Sequence, residues 1–234
     1  MRRFWKEAAA TPDGGVALDG KPVRTPGRAP LRLPGMAFAQ AVAAEWNAVG
    51  ETLDPRAMPL TGLANAAIDR IAPDPCAFAA GLAAYGESDL LYYRADAPPE
   101  LVARQEALWD PVLAWARGRY DIHFEPTTGV IHHAQPPATL ARLGDAVAAQ
   151  DAFALAALSP LVTLTGSLLL ALAVAEAALT PDQAWASAHV DEDWQAELWG
   201  EDQLAAERRA NRRREFDAAV RFLELAKEPP SSRP

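Results

Sequence analysis

The sequence predicts an α+β fold, in which a small N-terminal antiparallel sheet with helices precedes a larger all-helical domain of the orthogonal bundle type. Three observations lead to this prediction. Turn and strand patterns are concentrated in residues 3–33, apolar residues recur at helical spacing from Gly35 onward, and the composition becomes alanine-rich after Pro73 and Pro75. Because half of the 234 residues are hydrophobic, the chain can bury a substantial core.

The N-terminal residues show the pattern of a small antiparallel sheet. Asp19-Gly20 is typical of a hairpin with a type I′ turn, because this pair accepts the positive φ angles of that turn. Pro22 indicates that the second arm of the hairpin lies at an edge or starts late. The expected strands are short and bounded by turn residues: 4–7, 16–18, 21–25 and 31–33.

Two helices complete the predicted first domain, which covers residues 1–75. Phe38, Val42, Trp46 and Val49 share one face of a helix over residues 35–49. A second helix over residues 60–71 carries an apolar stripe at similar spacing. We therefore expect both helices to pack beside the sheet.

The predicted second domain covers residues 76–227 and is helical. Pro111 should kink or restart one of its helices, and Ile122-His123-Phe124 indicates a short strand. Thr180 and Pro181 are typical of an N-cap and a first helical residue. A polar, proline-rich tail, residues 228–234, is predicted to be disordered. The expected helices are 76–85, 98–119, 139–150, 153–179, one that starts at 180, and about 203–227.

Residues 153–179 form the most apolar window of the chain and are a candidate for a membrane span. Polar residues interrupt this window, so its apolar runs are much shorter than the roughly 20 residues that a spanning helix needs. We interpret it as a buried core helix, and we expect no membrane insertion. The N-terminal residues also lack the apolar segment of a secretory signal.

The stretch from Ser187 to Phe216 has the most unusual charge pattern. Trp194 and Trp199 lie five positions apart within it, so they cannot both face one core cleanly. We expect one long helix or two with a break at Gly200. A solvated face with internal ion pairs and a surface for a partner are both open at this point. Seven carboxylates precede five arginines: Asp191, Glu192, Asp193, Glu197, Glu201, Asp202 and Glu207, then Arg208, Arg209, Arg212, Arg213 and Arg214.

Composition excludes several classes of protein. The net charge of −9 argues against nonspecific binding of nucleic acid, and the acidic residues beside Arg208–Arg214 would repel the same ligand. The one cysteine, Cys76, excludes an internal disulfide and a cysteine zinc site. The adjacent pair His132-His133 lacks a motif that supplies a carboxylate ligand. We therefore expect no metal, no cofactor and no nucleic acid partner.

Known catalytic motifs are absent from the sequence. It contains no P-loop, no dinucleotide fingerprint and no GxSxG elbow. The carboxylates between Asp191 and Asp202, with a tryptophan for stacking, leave a small hydrolase as an alternative. The two carboxylates of a catalytic pair need environments that differ from each other, whereas most carboxylates between Asp191 and Asp202 should face solvent. We therefore favour a protein-binding surface, and a generic adaptor for some other partner is the second alternative.

An ordered set of short motifs resembles one known family, the assembly chaperones for the alpha subunit of F1-ATPase. This family includes mitochondrial ATP synthase assembly factor two and its bacterial relatives. The resemblance extends from Arg3 to about Leu225, and the order of the motifs makes it specific. The motifs are Phe4-Trp5, the hairpin Leu18–Pro26, Glu45-Trp46, Met58-Pro59-Leu60-Thr61, Asp89-Leu90-Leu91, Tyr93-Arg94, Gln105, Trp109-Asp110-Pro111, Asp191-Glu192, Gln195 and Trp199-Gly200.

The resemblance implies a fold and a function. It implies two domains, no enzymatic activity, and binding of the unassembled alpha subunit until the beta subunit replaces the chaperone. It also implies a monomer. Because no mitochondrial presequence is seen, we expect a bacterial, alpha-proteobacterial member that acts in the cytoplasm, whereas eukaryotic relatives act in the mitochondrial matrix. Tyr92 departs from the family pattern, in which a smaller residue, often cysteine, is expected.

The family's functional site, carried onto this chain, is the acidic segment of the charged stretch. Asp191 is expected to be its first residue. We expect charge reversal at Asp191 and Glu192 to leave the fold intact and to abolish partner capture. The candidate partner-binding residues are Asp191, Glu192, Gln195, Trp199, Glu201 and Asp202.

Overall fold

The fold combines a small antiparallel sheet with a larger set of helices, as predicted. The computed structural model describes residues 2–200 and 202–227. The strands are β1 Ala8–Ala10, β2 Val16–Leu18, β3 Lys21–Pro22, β4 Tyr93–Arg94 and β5 Thr127–Thr128. The helices are α1 Met36–Ala48, α2 Pro59–Ala66, α3 Pro75–Ala83, α4 Pro99–Tyr120, α5 Pro137–Ala148, α6 Ala152–Thr165, α7 Leu168–Ala175, α8 Pro181–Ala188, α9 Val190–Trp199 and α10 Gln203–Lys227.

Backbone contacts divide the chain into two compact units. The first contains the chain up to Pro75, residues 151–157 and the end of α10 from Ala218. The second contains residues 76–150 and 158–217. The division into successive domains 1–75 and 76–227 stays a prediction, and the predicted disordered tail lies outside the described residues.

The sheet of the first unit contains the predicted hairpin. β1, β2 and β3 are antiparallel in that order, and Leu18 pairs with Lys21 across a turn in which both Asp19 and Gly20 have positive φ. The strand predicted at residues 4–7 is wrong: the amides of Lys6 and Glu7 donate to the Asp19 carboxylate, and pairing begins at Ala8. The strand predicted at residues 31–33 is wrong too, since it is reduced to one bridge, Gly15 with Arg32.

The helices of the first unit follow the predicted spans closely. α2 continues into a π-helical turn at Ala67–Ile71, so the two together cover the second predicted helix. The Glu45 carboxylate on α1 accepts from the amides of Leu60 (2.7 Å) and Thr61 (2.8 Å) and thereby caps α2. In the core of this unit, the ring of Phe38 meets that of Phe222 edge-on, with centroids 4.7 Å apart.

The second unit is mostly helical and also contains a short strand pair. The strand predicted at residues 122–124 is wrong, because the amide and carbonyl of His123 hydrogen-bond the Thr139 hydroxyl at the start of α5. β4 and β5 instead form a parallel pair. α4 continues through Pro111 without a break, so of the two predicted outcomes the restart is wrong and the kink stays a prediction.

The apolar window from Phe153 to Leu179 is two helices, whereas one was predicted. The chain breaks between α6 and α7 at Gly166, whose φ of +67° lies in the region that favours glycine, and Ser167 caps α7 by accepting from the Leu170 amide. All residues of α7 are buried, which confirms the core location of this part. Within residues 2–200 and 202–227, every helix is too short or too polar to span a bilayer.

Candidate partner-binding surface

The candidate surface begins at the junction of α8 and α9. Thr180 and Gln183 form a reciprocal capping box, which confirms the predicted start of α8. The ring of His189 is buried at the junction, where it stacks on Trp185 at 3.9 Å and its Nδ1 lies 2.8 Å from the Trp185 carbonyl oxygen. Burial lowers the pKa of His189, so the ring is neutral at pH 7 and its Nδ1–H donates to that carbonyl.

α9 ends at the predicted break. Gly200 has a φ of +83°, which is the region that glycine adopts without strain, and its amide caps the helix through the Ala196 carbonyl. Three carboxylates occupy the first turn, where the positive end of the helix dipole stabilises them. Val190 is the one fully buried residue of α9, so apolar burial contributes little to holding this helix.

One side of α9 is held by α4 through polar contacts. The Gln105 side chain donates to Asp191 Oδ1 at 2.7 Å. Arg104 forms two hydrogen bonds of 2.7 Å with the Glu197 carboxylate, and this donation holds the pKa of Glu197 below its usual value. The Arg104 guanidinium also lies 4.8 Å from the ring centroid of Trp194. Together these contacts position α9 on α4.

The other side of α9 is held by the arginines of α10. Arg209 pairs with Asp193, and Arg212 lies 3.4 Å from Glu192. Helical spacing alone would allow these arginines to pair with acids of their own helix, such as Glu207. In the described residues Glu207 has no ion pair, and the arginines pair mainly with the acids of α8 and α9.

One face of α9 is largely exposed, and Asp191 lies at its edge next to α4. Asp191, Gln195 and Trp199 recur at i, i+4 and i+8, which places them within about 80° of one another around the helix axis. Gln195 is exposed, and Trp199 is 77% exposed. Because Trp199 is exposed while Trp194 is partly covered, the expectation that the two tryptophans do not share one core is confirmed.

Exposed apolar side chains also lie close in sequence to Trp199, on both sides of the break at Gly200. Leu198 is 54% exposed, and Leu204, in the first turn of α10, is 61% exposed. Asp202 is exposed and caps α10, since its carboxylate accepts from the Ala205 amide at 3.1 Å. We call Asp191, Gln195, Leu198, Trp199 and Leu204 the α9 face.

The predicted site residues therefore have different environments. Asp191, Gln195 and Trp199 lie on the α9 face, and Glu192 borders it while pairing with Arg212. Asp202 follows the break, and Glu201 lies outside the described residues. A role for all six in binding stays a prediction.

Sequence reasoning missed Leu198 and Leu204 as part of this surface. It also missed the contact between Gln105 and Asp191, which are 86 residues apart. The apolar residues could have been found from their position beside Trp199 at the predicted break. The contact with Gln105 has no local signal, although Gln105 is one of the motif residues.

Several carboxylates described in this stretch are exposed to solvent. Glu192, Glu197 and Asp202 are exposed, and the first two pair with arginines on neighbouring helices. A glycosidase-like mechanism needs two carboxyl groups that face each other across a bound substrate. The described residues of this stretch form a ridge of helix surface, which does not fit the hydrolase alternative.

Comparisons with known proteins support the family resemblance. The family model of the ATP12 chaperone protein matches residues 2–117. The crystal structure of Atp12 from Paracoccus denitrificans is 46% identical, with a TM-score of 0.90, over 97% of this chain and 98% of that chain. A variant of that protein with one aspartate replaced by lysine matches equally well. A protein from Agrobacterium tumefaciens, described as a candidate chaperone, is 45% identical, with a TM-score of 0.90, over 97% of this chain and 86% of that one.

Proposed function

The chain belongs to the ATP12 chaperone family, and we propose on that basis that it is a non-enzymatic assembly chaperone for F1-ATPase. In this proposal it binds the unassembled alpha subunit in the bacterial cytoplasm and shields it until the beta subunit takes its place. The relatives from Paracoccus and Agrobacterium support a bacterial setting. The ordered motifs that resemble the alpha-subunit chaperones support this choice of partner.

The observation that carries the proposal is the exposed α9 face. Leu198, Trp199 and Leu204 present apolar side chains to solvent beside carboxylates. Tryptophan is enriched where proteins bind one another, and exposed apolar groups of this kind commonly mark an interaction surface. An unassembled subunit exposes apolar surface that aggregates unless it is covered. The α9 face can cover such a surface.

The charges of the chain suit an encounter with a selected partner. Its net charge of −9 keeps it soluble and repels other acidic proteins. Carboxylates near the α9 face favour a partner surface with basic groups, which raises the association rate more than the affinity. We propose that the chaperone acts as a monomer and that one copy presents one α9 face.

The direct test is capture of the alpha subunit in cells. The protein is tagged in a strain from which the beta subunit gene is deleted, and the bound proteins are identified by mass spectrometry. We expect the alpha subunit to be the main protein recovered. Recovery of none would contradict the proposal, whereas recovery of one other specific protein would favour the generic adaptor.

A second test asks whether the α9 face is the surface used. We expect Asp191→Lys with Glu192→Lys to abolish capture of the alpha subunit while the circular dichroism spectrum is unchanged. Glu100→Lys with Glu106→Lys makes the same charge change at exposed residues of α4 and should leave capture intact. If the first double variant unfolds, its acids are structural, and Trp199→Ser at the 77%-exposed tryptophan then decides the question.

A further inference from the structure

We infer that Gln105 positions Asp191 as an uncompensated carboxylate, and that the α9 face therefore binds a cationic side chain of its partner next to an apolar one. This inference rests on the proposed function and adds the chemistry of the bound segment. It identifies a buried residue, Gln105, outside the α9 face, as the one that holds the charged group in place.

Asp191 differs from the other carboxylates of α9 in its partner. Glu192 lies against Arg212, Asp193 against Arg209 and Glu197 against Arg104, so each of these charges is compensated within the chain. Asp191 receives its hydrogen bond from the neutral amide of Gln105 at 2.7 Å. Since an amide donor carries no net charge, the full negative charge of Asp191 remains available.

The orientation of the Gln105 amide is fixed by its surroundings. The backbone amide of Ala95 donates to Gln105 Oε1 at 2.8 Å, and a backbone N–H can only donate. The Nε2 group must therefore face Asp191. Because Gln105 is 2% exposed, solvent cannot replace either bond at low cost. The side chain thus holds Asp191 in one place without neutralising it.

Asp191 still has capacity for another donor. A carboxylate accepts about four hydrogen bonds, and among the described residues Gln105 donates the one side-chain bond that Asp191 receives. Asp191 is half-buried at the edge of the exposed face of α9, so its charge is only partly screened by water. A lysine or arginine of the partner can therefore pair with it.

The spacing along α9 defines the apolar part of the same segment. Trp199 lies eight residues after Asp191, which corresponds to about 12 Å along the helix axis. A bound segment that pairs with Asp191 and covers Trp199 needs a cationic and an apolar side chain about this far apart. Positions i and i+8 of a helix meet this requirement.

The test uses purified full-length protein and two fluorescent alanine-based peptides of about 20 residues, long enough to form a helix. One peptide carries leucine at position i and arginine at i+8, and the other carries glutamate in place of the arginine. We expect the wild-type protein to bind the arginine peptide about tenfold more tightly, as measured by fluorescence anisotropy.

Asp191→Asn should abolish this preference, because asparagine can keep the hydrogen bond from Gln105 while it loses the charge. Asp193→Asn is the matched control and should keep the preference, since its charge is already compensated by Arg209. Gln105→Met should reduce the preference, whereas a purely structural Gln105 would weaken the binding of both peptides equally. If Gln105→Met does not fold, the two aspartate variants still decide whether the charge of Asp191 sets the preference.

The inference is overturned if the wild-type protein shows no preference between the peptides or if Asp191→Asn keeps it. The same measurement is made with purified alpha subunit. Capture of the alpha subunit without a peptide preference would refute the inference alone. A preference that Asp191→Asn abolishes, without capture of the alpha subunit, would refute the proposed function and leave the inference standing.

Discussion

Helices α7 and α9 belong to the same unit and have similar lengths, yet they are held in place by different forces. Every residue of α7, Leu168–Ala175, is buried, whereas α9, Val190–Trp199, buries one residue completely. Apolar burial therefore stabilises α7. Directional contacts from Arg104, Gln105 and the arginines of α10 position α9.

The difference shows how a helix can be held in place while one of its faces stays accessible to solvent. Burial stabilises α7 in proportion to the apolar area removed from water, which leaves no face for a partner. Polar contacts hold α9 along two sides only, so the α9 face stays accessible. The acids that contact the two helices show the same contrast, because Asp89, which accepts from the Leu169 amide of α7, is fully buried whereas Asp191 is half-exposed.

The largest expected effect comes from a truncation in α7. Leu169→Ala should lower the free energy of unfolding by about 2–5 kcal/mol, because it leaves a cavity in a fully buried site. Leu198→Ala makes the same change in α9 at a 54%-exposed residue and should cost about 0.5 kcal/mol or less. Urea denaturation of both variants measures the contrast, and equal losses would show that α9 is also held by apolar burial.

The pH dependence of stability should reveal Asp89, the buried acid that accepts a hydrogen bond from the start of α7. Burial raises the pKa of Asp89 from its ordinary 3.8 to about 6, although the amides of Leu169 and Leu91 donate to it. Its folded-state pKa lies above the unfolded value, so the folded protein binds the proton more tightly. This contribution to stability is complete below about pH 3.8 and is lost as the pH rises through about 6.

The magnitude of this loss is on the order of 3 kcal/mol, from the difference between the two pKa values. The free energy of unfolding is measured from pH 4 to 7 for the wild type and for Asp89→Asn, which cannot titrate. We expect the difference between the two proteins to change by this amount over the interval. A difference that stays constant with pH would show that Asp89 does not titrate there.

The contact between Trp109 and Ser187 should give an intermediate effect. The Trp109 indole N–H donates to the Ser187 carbonyl at 2.8 Å, in a buried position just before α9. Trp109→Phe removes this donor and leaves a buried carbonyl unpaired, which costs about 1–3 kcal/mol. Thermal or urea unfolding gives the global loss. Trp115→Phe, at a partly exposed tryptophan of the same helix, is the control and should cost less.

Local sequence rules predicted elements whose determining contacts are themselves local. The Asp19-Gly20 hairpin, the capping box of α8 and the break at Gly200 depend on residues within a few positions of each other. The face shared by Asp191, Gln195 and Trp199 is local in the same sense, because helical spacing defines it.

The errors arose where distant residues determine the backbone. Asp19 binds the amides at positions 6 and 7, and Thr139 binds the backbone of His123, so neither predicted strand forms. No spacing rule could show that Gln105 meets Asp191 or that Glu45 caps α2. Both residues belong to the motifs on which the resemblance was based, and in the structure each makes a hydrogen bond between separate helices.

The smallest global effect is expected at Arg104, where the contact that holds α9 is exposed. Because the side chains of Arg104 and Glu197 are 42% and 55% exposed, solvent screens their attraction. Arg104→Gln should therefore change the unfolding midpoint less than Trp109→Phe does. It should still increase hydrogen exchange of the α9 amides, since it removes both the pair with Glu197 and the contact with Trp194.

The control is Arg221→Gln, at an exposed arginine on α10, which should change neither the unfolding midpoint nor the hydrogen exchange of α9. If Arg104→Gln destabilises the whole protein as much as Trp109→Phe, α9 is part of the cooperative core and its contrast with α7 fails.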